Sequence, residues 1–560
     1  MSSTASCNLE KIILTDKERQ ITSILREYTN YYNSQIAQAH NKPPVELRIT
    51  GGWVRDKLLG RDSHDIDIGV DHLSGLEFVK GLKRYLDGRG EVVEVVGGDE
   101  EVGHLSGIHK IKKNPEKSKH LETCTTKLMG SDIDFVNLRN ERYTEDSRIP
   151  TIESGTPQED AFRRDATLNS LFFNLSTMKV EDWTGRGLQD LKDGILRTPL
   201  EAKKTFLDDP LRCLRMIRFA SNFNFRIDEE SLDAMRLDSI KTTLDHKISR
   251  ERIGIEFSKI ILGKNPIYGL QLLRDVEFSN IFGFGDKEQG QEKVIKIINQ
   301  INGKEIEYLL DEGILESLDD IVTKLPMISE WLKKNEVEQI KRTEDEVMKN
   351  DHYRIAFYCS LILNKWDSIE VLEEDKEVGG GEGMTAKGHI PKGKGGKKKR
   401  PKPCNATHLI IGQGLKMPTK MADLVSLIVS NMDEFRENME RFEDMKRSEV
   451  ALKLVIPYGE SWRLNLLVFY MLENLRDIEE IEETTARVEE FFEGCKQLGL
   501  EEVYKETVLL NGKELIEMTG KKPGRWMKDM NEELFAWQLD HRGCTTDELR
   551  EYAKVISERS

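Results

Sequence analysis

Two acids separated by one apolar residue, in the run Asp65-Ile66-Asp67-Ile68, constrain this chain more tightly than any other stretch. The spacing predicts a strand in which side chains alternate faces, so Asp65 and Asp67 point one way while Ile66 and Ile68 enter a core. Two carboxylates on one solvent-facing patch repel at neutral pH, and a hard divalent cation with oxygen ligands relieves that repulsion. Magnesium is the expected occupant. Upstream, the strand-like run Val45 to Thr50 leads through Gly51-Gly52 into a short predicted helix, Trp53 to Leu59. The glycines let the backbone approach a ligand closely, and the helix N-terminus offers free amide hydrogens to an anion such as a triphosphate. Taken singly, a Gly-Gly turn is common punctuation and an Asp-x-Asp is more often a solvated strand face. In combination they place metal and nucleotide phosphates together.

At 560 residues the chain exceeds a single core and is expected to divide into several domains. Its seven cysteines are scattered singly without a Cys-x-x-Cys, which argues against a zinc site and a disulfide framework and fits a reducing compartment. No apolar run reaches membrane-spanning length, so no membrane association is expected. Met1 to Glu10 lacks the apolar core of a secretory signal and the arginines of a mitochondrial presequence. A cytoplasmic and nuclear location is expected, and a mitochondrial pool would require a longer precursor. The formal net charge of −16 gives no support to nucleic-acid binding by the molecule as a whole, so an RNA partner must be held by local basic surfaces.

Thr15 to Glu18 has capping-box spacing and predicts a leading helix with Ile21, Ile24, Leu25 and Tyr28 on one face. Val92 to Val96, Gly107 to Ile111, His120 to Leu128 and Asp132 to Leu138 read as strands of a small mixed sheet, with Leu171 to Leu175 and Gly194 to Arg197 as its last strands. From Leu200 onward strand signals vanish and charged helices with apolar stripes dominate. The fold class is α+β, a β-containing head followed by helices. Residues 379–403, with Gly-Gly-Gly and Lys397-Lys398-Lys399-Arg400-Pro401, cannot form a core and are expected to be a disordered basic loop.

A third acid would complete a two-metal site, and Asp132-Ile133-Asp134 offers one on a second strand. Asp134 is favoured, although alternation puts Asp132 on the same side. In Arg163-Arg164-Asp165-Ala166-Thr167-Leu168-Asn169, adjacent arginines beside an acid are suited to clamping phosphate and sensing ribose hydroxyls; alone, such a cluster is usually surface ion pairing. In Asp208 to Arg218, Asp209, Arg212, Arg215 and Arg218 recur every three residues and share a slowly rotating helix face. Asp209 before Pro210 also suits a simple helix cap with solvent-exposed arginines. The functional reading uses base chemistry. Cytosine and adenine present an amino donor beside a ring-nitrogen acceptor, which a carboxylate and a guanidinium satisfy; guanine and uracil reverse the pattern and are rejected.

Gly51-Gly52 with Asp65 and Asp67 resembles the signature of the polymerase-β-like nucleotidyltransferases. The chain as a whole resembles class II CCA-adding tRNA nucleotidyltransferases of eukaryotic type. Gly51 to Asp56 with Asp65-Ile66-Asp67 looks like the family's first motif, Arg163 to Asn169 its second, and Asp182 to Gly194 its hinge-like third. Asp209-Pro210-Leu211-Arg212 is similar to its base-reading motif, with Asp208 where a glutamate is often found, and Ile248 to Ile253 to its bracing fifth. Leu510 to Leu515 with Lys522 to Trp526 looks like the tail segment that holds the tRNA elbow.

The resemblance implies a catalytic head (1–197), a neck with the base-reading motif (198–285), a body (286–480) and a tRNA-contacting tail (481–560). It implies a monomer that uses CTP and ATP to complete tRNA with CCA. Asp65, Asp67 and Asp134 would hold two magnesium ions that activate the tRNA 3′ hydroxyl and neutralise leaving pyrophosphate. Gly51, Gly52 and Arg55 would hold the triphosphate; Arg164, Asp165 and Asn169 the phosphate or ribose side; Asp209 and Arg212 the base. Arg215 and Arg218 would support that pair or touch phosphate. A poly(A) polymerase of the same superfamily is the alternative within the enzyme class, and a non-catalytic tRNA-binding or export adaptor the alternative outside it.

Overall fold

Thr15 caps the first helix, α1 (Asp16–Tyr31), as its spacing predicts: the Thr15 hydroxyl accepts from the Glu18 amide and the Glu18 carboxylate accepts from the Thr15 amide. The computed structural model describes residues 11–63, 65–88, 105–111, 123–144, 147–283, 295–299, 309–335, 337–366, 369–373 and 403–559. The chain forms two units, Met1–Val276 and Glu277–Ser560.

In the first unit α1 is followed by β1 (Leu47–Thr50), α2 (Gly52–Leu58), β2 (Ile66–Val70), α3 (Gly75–Asp87), β3 (Leu105–Ile111), β4 (Thr123–Leu128) and β5 (Ser131–Asn137). Next come a hairpin of β6 (Arg139–Thr144) and β7 (Ser147–Ser154), α4 (Pro157–Phe162), β8 (Leu171–Asn174), β9 (Lys179–Asp182) and α5 (Gly187–Asp193). Then follow β10 (Ile195–Leu196), α6 (Ala202–Asp208), α7 (Leu211–Phe223), β11 (Arg226–Ile227), α8 (Glu229–Arg236), α9 (Asp238–Lys247), α10 (Arg250–Ile261) and α11 (Pro266–Asp275). Among the described residues, seven strands make one mixed sheet in the order β3-β4-β5-β2-β1-β8-β9, antiparallel except where β2 meets β5.

Cross-strand register divides the sheet into two faces. Phe173, Ile49, Ile68, Phe135 and Cys124 form one row of directly paired, buried side chains. Helices α3 and α1 seal it: the Phe78 ring centre is 5.6 Å from that of Phe135 and 5.0 Å from that of Tyr28. Each large apolar side chain so buried contributes about 1.5–3 kcal/mol. The opposite face carries the polar residues that matter below.

Several expectations need correction. Ile195–Leu196 does not join the main sheet; it pairs in parallel with Arg226–Ile227, because α5 carries the chain away from the sheet edge. On its side away from β1, β8 pairs with β9, reached through a tight turn in which the Asn174 carboxamide accepts from the Ser176 and Thr177 amides. With Lys179 and Glu181 exposed or half-buried, that edge strand has no apolar alternation to read. The β6–β7 hairpin was likewise not expected. In the second unit strands do occur after Leu200: Ile295–Asn299, Glu370–Glu373 and Pro403–Asn405 make a three-stranded antiparallel sheet, each too short to show a clear period.

Elsewhere the second unit is helical as expected, and its last helices enclose a core of Leu510, Leu515, Met530, Leu534, Leu549, Ala553 and Ile556. The expected strand Val92 to Val96 and the basic segment 379–402 lie outside the described residues. No helix among the described residues is long and apolar enough to cross a membrane.

Candidate active site

The register that builds the core also aligns a polar row on the other face. Phe172, Thr50, Asp67, Asp134 and Thr125 are successive partners across β8, β1, β2, β5 and β4. Asp67 and Asp134 are therefore side-by-side neighbours with Cβ atoms about 5 Å apart. Asp132 pairs instead with Lys127 and is exposed, so the strand register separates the two candidates that alternation left together. The Thr125 hydroxyl donates to the Asp134 carboxylate at 2.5 Å. Burial, with Asp134 and then Asp65 adding like-charge repulsion, holds the Asp67 carboxyl above the ordinary aspartate range. Asp65 precedes β2 and is exposed.

Among the described residues no group of three or more acid, histidine or cysteine side chains is placed to hold a metal ion. The donor chemistry nonetheless fits a hard divalent cation: oxygen ligands, adjacent like charges, and an Asp67 whose ionisation a nearby cation would favour.

Beside Asp67 a cavity of about 530 Å³ opens within the first unit, lined by eight arginines and five carboxylates, a balance suited to a polyanionic ligand. Gly51 enters it at φ +76°, a conformation that favours glycine, and a Cβ there would stand 3.1 Å from Arg164 Nη1. At Gly52 a Cβ would stand 3.2 Å from Arg55 Nη2. The diglycine makes room for two guanidinium groups.

Asp160, within α4 and 2% exposed, anchors the adjacent arginines. It accepts from Arg163 Nε at 2.9 Å and Nη2 at 2.5 Å, and from Arg164 Nε at 3.1 Å and Nη2 at 2.7 Å. Although burial opposes ionisation, Arg164 and Arg163 hold its carboxyl down at about 2. Arg164 also donates to Thr50 Oγ1 at 2.6 Å and to the Asn169 carbonyl at 3.0 Å, and lies over the Phe172 ring, which ties it to the polar row. Arg55 donates to Asp56 and, at 2.5 Å, to Asn169 Oδ1. Asn169 passes the chain on to Asp165 at 2.9 Å, and Asp165 accepts from Arg215 Nε at 2.8 Å. Against the cost of its burial, Arg215 and Asn169 keep the Asp165 carboxyl well below the usual range.

Helix α7 supplies the far wall. Asp209, Arg212, Arg215 and Arg218 all line the cavity, as their three-residue spacing predicts. Asp209 accepts from the Leu211 amide at 3.2 Å, so part of the simple capping reading is realised, but Arg212 is only 8% exposed rather than solvent-facing. Arg212 Nη2 lies 3.9 Å from Glu141 Oε2. Helix α10 packs on α7, with Arg218 Nε donating to Glu256 at 2.7 Å and Arg252 Nη2 3.8 Å from Asp209 Oδ2.

Of the residues to which the sequence gives a metal- or nucleotide-binding role, Asp65, Asp134 and its alternative Asp132 do not line the cavity, whereas Gly51, Gly52, Arg55, Asp67, Arg164, Asp165, Asn169, Asp209, Arg212, Arg215 and Arg218 do. Sequence reasoning missed Asp160, Glu141, Thr50 and Phe219. Asp160 had a legible signal, because it precedes Arg163 and Arg164 by three and four residues, the helical ion-pair spacing. Glu141 had none, since it arrives on the unexpected β6–β7 hairpin.

Residues 47–197 match the family described as "Poly A polymerase head domain", and residues 224–282 that described as "Probable RNA and SrmB- binding site of polymerase A". Fold and site together define a nucleotidyltransferase with a polymerase-β-like head. The chain is 38% identical to the "CCA tRNA nucleotidyltransferase, mitochondrial" of Saccharomyces cerevisiae, covering 98% of this chain and 94% of the relative. It is also 38% identical to the protein of the same name from Candida glabrata, covering 98% and 97%. The chain belongs to the CCA tRNA nucleotidyltransferase family. The fold is shared with a solved CCA-adding enzyme in complex with ATP, at TM-score 0.56, 18% identity, and coverage of 98% of this chain and 95% of that one.

Proposed function

We propose that this chain completes or repairs the 3′-terminal CCA of tRNA from CTP and ATP, without a nucleic-acid template and with magnesium as cofactor. The observation that carries the reading is the row Thr50-Asp67-Asp134 running into an arginine-lined cavity that ends at Asp209 and Arg212. In this reading Asp67 and Asp134, with Asp65, bind two magnesium ions. Bound there, they supply activation of the 3′ hydroxyl and charge neutralisation of the leaving pyrophosphate.

The chain's own groups do the rest. Gly51 and Gly52 leave room for the triphosphate, Arg215 and Arg218 bind it, and Arg55 and Arg164 are kept in place by Asn169 and Asp160 to complete the cationic wall. The 3′ oxygen attacks the α-phosphorus, the bond to the β-phosphate breaks, and pyrophosphate leaves. The Asp209 carboxylate accepts from the exocyclic amine of C or A while Arg212 donates to the ring nitrogen. Uracil and guanine would leave both groups facing like partners.

The names of the full-length relatives favour CCA addition over the poly(A) polymerase alternative, and the intact carboxylates and arginines disfavour a purely binding role. The chain acts as a monomer, with a catalytic head, a neck, a body and a tail that contacts tRNA. The mitochondrial names of the yeast relatives support a mitochondrial pool, alongside cytoplasmic and nuclear ones. Asp65→Ala or Asp67→Ala is expected to lower nucleotide transfer by at least about 1,000-fold while tRNA affinity in a filter-binding assay stays within about twofold. Near-normal turnover in either variant would remove the metal role.

A further inference from the structure

One apolar side chain organises the cationic wall of the cavity. Phe219 follows Arg218 directly and Arg215 by four residues on α7, and it is 6% exposed. Its ring centre lies 4.4 Å from the Arg218 guanidinium carbon, 5.5 Å from that of Arg215 and 5.3 Å from that of Arg55, which reaches across from α2. One helical turn further on, Phe223 lies 6.3 Å from Phe219 with the rings only 21° from parallel, and carries Arg55 and Arg61 at 4.6 Å each. Four guanidinium groups thus gather around two rings.

Like charges this close repel. Burial holds the Arg55 guanidinium below its usual range, and Arg218 adds to the effect. A carboxylate relieves such repulsion by consuming N–H donors, as Asp160 does for Arg163 and Arg164. A ring face attracts the cation through its quadrupole and consumes none. The consequence is visible at Arg218: Nε is bound to Glu256, while its Nη groups meet no protein acceptor among the described residues. We infer that Phe219 is a positioning residue that spaces Arg55, Arg215 and Arg218 so that their remaining donors meet the β- and γ-phosphates of the incoming nucleotide. The inference rests on the transfer reading above for the identity of that nucleotide.

The test compares Phe219→Leu, Phe219→Tyr and Phe223→Leu in the full chain. Inorganic pyrophosphate binding is measured by calorimetry without tRNA, and KM and kcat are measured for CTP and ATP with tRNA lacking its 3′ end. Phe219→Leu is expected to weaken pyrophosphate and raise KM for both nucleotides alike, by about fivefold to tenfold, with kcat and the preference over UTP and GTP little changed. Phe219→Tyr keeps the ring and stays near wild type. Phe223→Leu, which loses only the ring shared by Arg55 and Arg61, shifts less. Wild-type pyrophosphate affinity in Phe219→Leu, or equal damage in the leucine and tyrosine variants at unchanged melting temperature, would overturn the inference. If the wild type binds pyrophosphate but transfers nothing, the transfer reading fails, and the pyrophosphate comparison still decides the role of Phe219.

Discussion

Asp160 is one carboxylate that holds two arginines, and its protonation has a defined cost. Its folded pKa of about 2 lies below the ordinary aspartate value of about 3.9, so it stabilises the fold fully above that ordinary value and loses the contribution as pH falls through the folded value. Asp160→Asn is therefore expected to cost about 3 kcal/mol at neutral pH, measured by denaturant unfolding, with the gap to wild type closing between about pH 4 and pH 2. A gap independent of pH would contradict this assignment. Arg212 acts on a different quantity. Arg212→Ala is expected to reduce discrimination against UTP and GTP by about 10- to 100-fold in single-nucleotide incorporation, with little change in folding. Unchanged selectivity would mean that the base is read elsewhere.

Among the elements, α1 and α2 are joined through a single buried acid. Glu18 completes the α1 capping box by accepting from the Thr15 amide, accepts from Trp53 Nε1 at 3.2 Å and pairs with Lys57 Nζ at 2.9 Å, both on the helix that carries Gly52 and Arg55. Glu18→Ala removes the reciprocal half of the capping box and strands Lys57, for an expected loss of about 2–4 kcal/mol by thermal or denaturant melting. Elements with strong local signals were legible in advance: the capped α1, the alternating β2 and β5, and the proline-started α7. The β9 edge strand and the β6–β7 hairpin were not, because strands built mainly of polar residues show no apolar period and owe their existence to pairing. The same difference holds in the site. Asp67 and the α7 arginines announce themselves by spacing, whereas the Asp134–Asp67 pairing follows from inter-strand register, and Glu141 and Phe219 become visible only once separate elements meet.

At the scale of the molecule, the first unit contains the whole cavity, and the second is helical with one small sheet and a separate core at its C-terminal end. In a chain of net negative charge, the eight arginines lining the cavity concentrate positive charge at one place, where the proposed function puts the nucleotide. The most direct measurement is to incubate the purified chain with tRNA lacking its last three nucleotides, all four NTPs and magnesium, and to sequence the 3′ ends. The expected product ends in CCA and stops there, and omission of magnesium abolishes it; a homopolymeric A tail, or no extension at all, would contradict the account.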